Sequence, residues 1–458
     1  MSGPRGDRLL TPLMLGVASG SILVPLNSTM LAVALPGIMD EFHLGAAAVS
    51  SLVTLYLGAV AVALPVSGSL GDRFGHRRAF LGGVVLFGLA SLLAVGATSF
   101  AVLQLARILQ AASGAFVSTS SSALVRMAAP ARRRGEAFGL FDLLTSTSAA
   151  AGPFIGGVLV GAFGWRSLFV VAVPVALIAA VAVGYWLRPE AADSQELAAR
   201  PASARPSLDL PGLALLAAWI VTILVALRGD SGLLGLVAAV AILPLAAILV
   251  WFELGRPYPA VDPQLFRIPA FSAALAGIFG NTVVLHACFI LVPMLVERLL
   301  MGSATTSGLV LLGISGVGAL VAPWGGRASD RRGRRALVAG GSLIMTAGLA
   351  GLALPAGAGS FVAVGALLGV VGLGMGLSGS PRQAAAFEAI GAERVGMAAG
   401  TYYTGRYLGG VVGASLAGAV LATGITAGAV SLGFAVLVAV GLAVAAVSRA
   451  LPGREAAA

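Results

Sequence analysis

The chain has 458 residues, 58% of them hydrophobic and only 10% charged, with a mean hydropathy of +0.99. Soluble domains carry roughly a quarter charged residues, so this composition excludes an ordinary water-soluble protein and makes the lipid bilayer its solvent. The net charge of +10 comes from arginines gathered in short segments between apolar runs, not from one aromatic-laced basic face, so no nucleic-acid partner is expected.

All 28 basic side chains besides the histidines are arginine. The single Cys288 excludes an internal disulfide and a thiolate metal cluster, and neither a metal nor a cofactor is expected. The first apolar run is not followed by a convincing small-residue cleavage site and is read as a retained span.

A helix needs about 20 apolar residues to cross the hydrocarbon core. On that ruler the expected fold is an all-α integral membrane protein. Its first six spans are 11–35, 47–70, 79–97, 100–124, 138–161 and 165–187. A polar linker follows, then two further spans at 210–228 and 231–252 and an amphipathic connector. The last six are 269–295, 305–324, 336–354, 361–380, 395–422 and 428–450. The uncharged stretch from Ala336 to Pro381 is split at Pro355-Ala-Gly-Ala-Gly-Ser360. The domains predicted are a bundle over 1–187, a linker with two extra helices over 188–268, and a second bundle over 269–458. With the N-terminus inside, outer ends hold only Arg166, Arg228 and Arg298, while Arg382 and most other arginines fall in cytoplasmic segments. Both termini are therefore expected in the cytoplasm, and the chain is expected as a monomer in a bacterial cell membrane.

One charged turn occurs twice. Gly68, Asp72, Arg73, Gly75 and Arg77 recur in register as Gly326, Asp330, Arg331, Gly333 and Arg335, 258 residues later. Glycine permits a tight reversal between membrane helices, clustered arginines hold it in the cytoplasm, and the aspartate can pair with a cation. A duplication on this scale suggests a transporter built from two related halves.

Several side chains stand out inside the spans. Arg107 lies about 10 Å into the fourth span and must face protein or water. Asp142, about 6 Å into the fifth, is a candidate proton carrier or a salt-bridge partner for nearby arginines. His286 in the ninth span titrates in a useful range, although a packed, hydrogen-bonded histidine is the commoner case, and Asn281 can accompany it in a cavity. In the thirteenth span Tyr402, Arg406, Gly409 and Gly413 share a stripe, with Arg406 about 17 Å deep. An arginine there is either a cavity group or an interhelical strut. Arg107 and Arg406 against one marginal acid bias such a cavity toward neutral or anionic amphiphiles.

Together these motifs resemble the major facilitator superfamily, and within it the fourteen-span drug:proton antiporters. Gly139, Gly152, Pro153, Gly156 and Gly157, with Ser148 in place of one glycine, are similar to the antiporter motif of exporters. Arg107, Gln110 and Gly114 are similar to the motif that opens with arginine; the resemblance implicates that arginine in proton transfer, and a structural hydrogen-bond anchor to neighbouring carbonyls is the alternative. Asn27 stands where the family's first-span motif usually has aspartate. The resemblance implies two six-helix bundles plus two central helices, and a secondary transporter that exports amphipathic drugs or antibiotic-like metabolites against protons. Its substrate would meet Asn27, Gln110, Asn281, Tyr402 and Arg406, and protons Arg107, Asp142 and His286. A solute importer or a non-transporting receptor of the same fold is the alternative. No nucleotide-binding loop or intramembrane catalytic motif points to an ATP-driven pump or an enzyme.

Overall fold

The computed structural model describes residues 12–128, 134–186, 209–227, 232–254, 256, 262–354, 359–390, 395–422 and 424–451. Among these residues there are helices and no strands. The first half contains α1 (Pro12–Met30), α2 (Leu35–Phe42), α3 (Ala46–Phe74), α4 (His76–Val95), α5 (Phe100–Ala128), α6 (Arg134–Phe163) and α7 (Ser167–Trp186). Next come α8 (Leu210–Ala226) and α9 (Gly232–Leu254). The second half contains α10 (Pro269–Met294), α11 (Ala304–Arg332), α12 (Arg334–Ala353), α13 (Phe361–Glu388), α14 (Val395–Val420) and α15 (Ala427–Val447).

Within the described residues each apolar run read from the sequence contains a helix. By length and composition, eleven helices among the described residues can cross a membrane, and two apolar stretches, Thr147–Phe163 and Pro211–Ala226, are shorter. The first span runs further than expected, because α1 continues through a 3₁₀ turn at Leu31–Ala34 into α2. Leu31, Ala32, Val33, Ala34 and Leu35 are all buried there, so tertiary packing holds the chain through the irregularity.

The repeated turn is visible in the backbone. Gly75 and Gly333 connect their helices at φ 93° and φ 84°, a region that costs residues with a Cβ, and each donates its N–H to the carbonyl four residues back, Gly71 or Ser329. The trailing arginines act alike as well. Arg77 Nη2 donates to Gly184 O near the end of α7 at 3.0 Å, and Arg335 Nε donates to Leu451 O just beyond α15 at 2.9 Å. Each therefore ties the last helix of its own half to the turn. The side chains of Asp72, Arg73, Asp330, Arg331, Asp142 and the surroundings of Gly139 lie outside the described residues.

We call the end of the molecule bearing these turns the terminal face and the other the far face. The halves meet along two seams, α6 on α11 and α3 on α14. α8 lies over the second seam, where Leu216 and Ile220 pack with Ala61 of α3, flanked by Tyr407 and Leu408 of α14. Outward faces are apolar: Leu233, Leu236, Val240, Leu243 and Trp251 of α9 are all exposed, as lipid contact requires.

Candidate functional site

At mid-depth in the first half, α1 and α5 bury a polar chain centred on Arg107. Its guanidinium is 1% exposed, donates through Nη1 to Asn27 Oδ1 at 2.5 Å and to Gln110 Oε1 at 2.9 Å, and stacks 4.1 Å from the Tyr56 ring centroid. Gln110 Nε2 in turn donates to Ser91 Oγ at 2.8 Å. Asn27 and Gln110, read from sequence as substrate contacts, are thus occupied as acceptors for this arginine. An amide can accept that bond without neutralising the charge, so Arg107 keeps its full positive charge within the bundle.

In the second half the candidate residues are carried by α10 and α14. His286 Nδ1 lies 3.0 Å from Thr282 O, and Thr282 Oγ1 donates to Arg406 O at 2.8 Å, which pins the two helices where Gly409 and Gly410 let them approach. Asn281 is 3% exposed and its Oδ1 has no partner. Arg406 is exposed, whereas Tyr402 is buried edge-on to Phe387 and Tyr403, so the stripe read from periodicity divides: Tyr403 rather than Tyr402 shares Arg406's open surface. The signal that separates them is burial by α13, which no single-helix periodicity contains.

The glycines of α6 serve two neighbours. A Cβ on Gly156 would lie 2.9 Å from Met30 O in α1, and Gly152 faces Thr29. Gly157 faces the other half, where a Cβ would lie 2.6 Å from Ala304 O and 3.1 Å from Gly308 Cα. Pro153, buried, presents its carbonyl to Gly308. Thr305 Oγ1 donates to Gly157 O at 3.1 Å, and Ser315 Oγ to Ala150 O at 2.9 Å, so hydroxyls on α11 bond directly to the backbone of α6.

The far face carries a cluster that the sequence reading counted only as exceptions to charge bias. Asp40 and Glu41 end α2 side by side. Glu41 Oε2 accepts from Arg166 Nη1 at 2.6 Å and from Trp165 Nε1 at 2.7 Å, within the first half. Asp40 Oδ1 accepts from Arg298 Nη2 at 2.6 Å, and the same nitrogen donates to Pro36 O at 2.9 Å, across to the second half. Arg298 sits on a π-helical turn, Leu295–Leu299, and its neighbour Glu297 accepts from Ser307 at 2.8 Å.

Two cavities open sideways between helices. One of about 880 Å³ lies between α3, α5, α8 and α14, with Gln104 donating to Ser51 Oγ at 2.8 Å on its wall. Another of about 480 Å³ lies between α8, α9, α10 and α14. Neither includes the site residues named from sequence. Among the described residues no group of three His, Cys, Asp or Glu could hold a metal.

The chain matches the family model described as Major Facilitator Superfamily over residues 17–414, with a second match over 275–457. It is 33% identical over 396 residues to an uncharacterized MFS-type transporter, YwoD, of Bacillus subtilis, covering 86% of each chain. It is 33% identical over 349 residues to the tetracenomycin C resistance and export protein of Streptomyces glaucescens, covering 74% of this chain and 63% of that one. It is 29% identical over 404 residues to a multidrug resistance protein B homolog of Mycobacterium tuberculosis, covering 85% of this chain and 72% of that one. With two helical halves, a repeated turn and these relatives, the chain belongs to the major facilitator superfamily, a family of multi-pass membrane transporters.

Proposed function

We propose that the protein is a proton-coupled exporter of small amphipathic drugs or antibiotic-like metabolites, working by alternating access as a fourteen-span monomer with both termini in the cytoplasm. The observation that carries this reading is the set of contacts joining the halves. Arg298 to Asp40 and Pro36, Thr305 to Gly157, and Ser315 to Ala150 all lie in the far half of the molecule. With the far face outside, as the arginine bias argues, this is a conformation shut toward the exterior. Arg406 of α14, which is exposed, then lies on the inner side of that closure, while Arg107 of α5 stays buried. Relatives named for multidrug resistance and for tetracenomycin C export support the substrate class.

Counterflow in proteoliposomes tests transport itself, and uptake into everted vesicles under an acid-inside gradient tests export coupled to protons. Substrate movement down the proton gradient would make the protein an importer, and absence of counterflow would make it a receptor. Sidedness is tested with Ser194→Cys and Gly357→Cys, which should react with an impermeant thiol reagent from opposite sides. The native Cys288 is buried and should stay silent.

A further inference from the structure

Arg382, assigned from sequence to a cytoplasmic segment, is enclosed by protein. It lies about 32 Å along α13, is 0% exposed, and none of its nitrogens Nε, Nη1 or Nη2 has a hydrogen-bond partner. Tyr402, which interacts with it electrostatically, belongs to an apolar cluster with Phe271, Ala274, Ala385 and Ala398 that joins α10, α13 and α14. The stem occupies the space beside Gly277, where a Cβ would lie 2.5 Å from Nε and 2.8 Å from Cδ.

A structural arginine shows the bonds that make it structural. Arg77 and Arg335 hold carbonyls, Arg166 and Arg298 hold carboxylates and carbonyls, and Arg107 holds two side-chain amides. Among the described residues Arg382 holds nothing. A buried cation without a partner is strongly destabilising, and an apolar residue of similar volume would fill this space better. Among the described residues nothing balances Arg382, which leaves it open to a group from outside the chain.

The way in is beside it. Gln383 Nε2 and Tyr403 Oη, adjacent in sequence to Arg382 and Tyr402, meet at 3.3 Å on the exposed side of the same α13–α14 contact. Arg406 lies one turn along α14 and is exposed, and Tyr402 lies within electrostatic reach of both arginines. We propose that Arg382 and Arg406 form an anion-binding site in the second half, which receives the carboxylate or phosphate head of an amphipathic substrate once α14 shifts against α13. This rests on the transporter reading and adds the substrate's charge class to it. The apolar cluster that includes Tyr402 and the aromatic edge of Tyr402 and Tyr403 suit the body of such a molecule.

The test is equilibrium binding to the full-length protein in lipid nanodiscs, with no gradient, so it stands or falls independently of transport direction and proton coupling. The probes are 1-naphthylacetate, its uncharged amide, and sodium chloride against sodium gluconate. The carboxylate should bind at least tenfold more tightly than the amide. Arg382→Gln should erase that preference, and Arg382→Lys, which keeps the charge, should retain part of it. The lysine variant also serves if the glutamine variant does not fold. Chloride that displaces the carboxylate from the wild type, with gluconate inert, would keep the anion site and assign its occupant to a small free ion. Equal binding of acid and amide by the wild type, or an unchanged preference in folded Arg382→Gln, would overturn the proposal.

Discussion

Asn27 shows how one side chain sets the electrostatics of a buried polar chain. Its amide oxygen accepts from Arg107 at 2.5 Å, so the arginine is held without being neutralised. Replacing Asn27 by Ala removes an acceptor from a buried charged donor, which costs about 1–3 kcal/mol or more. Asn27→Ala should thus lower thermal stability and abolish export. Asn27→Asp preserves the bond, makes it an ion pair, and should extend the range toward cationic dyes. Wild-type stability in Asn27→Ala, measured by thermal unfolding in detergent, would sink this account. The sequence already exposed the missing carboxylate and the deep arginine. It could not show that the two residues meet, because Asn27 and Arg107 are on separate helices 80 positions apart.

Between helices, glycine sets how near the halves can come. Gly157 and Gly308 face each other across α6 and α11 with backbone against backbone, and no side chain at hand can rotate aside. Gly157→Ala should therefore cost about 1–3 kcal/mol of stability, the usual range for overpacking. Gly365→Ala, with nothing within 4 Å of its Cβ, should be neutral or slightly stabilising by comparison. Equal melting temperatures for the two variants would refute the close-approach argument. The glycine-rich motif was plain in the sequence, as were the helices, since apolar length is a local property. Its division between α1 and α11 was not, because a 3.6-residue period locates faces and says nothing of which neighbour each one meets.

For the molecule as a whole, the Arg298–Asp40 pair is one of the polar ties between the halves, and on the proposed alternating-access reading an opening of the far face breaks it. With side-chain exposures of 31% and 66%, the pair itself contributes no more than about 1 kcal/mol, and the bond to Pro36 O adds to it. Arg298→Gln should consequently shift the conformational balance by a few-fold, not lock it. A cysteine at Ser315, facing α6 in the closed seam, should label a few-fold faster from outside in that variant. Unchanged labelling would remove the tie from the mechanism. Charge bias in the sequence marked Arg298 only as an arginine on the unfavoured side. Its partner lies 258 positions away in the other half, beyond the reach of any local pattern.

The adjacent carboxylates of α2 also give the molecule a lever. Glu41 is clamped to the first half by Trp165 and Arg166, one residue from where Asp40 is held by the second. Since the two attachment points share one helical turn, a twist or tug applied to the far half is passed straight into the short segment beyond the 3₁₀ break at Leu31–Ala34. That segment continues α1 through the packed 3₁₀ turn, and Asn27 lies one turn before it. The carboxylates that join the far face to both halves and the acceptor of the buried Arg107 thus belong to a single stretch of chain.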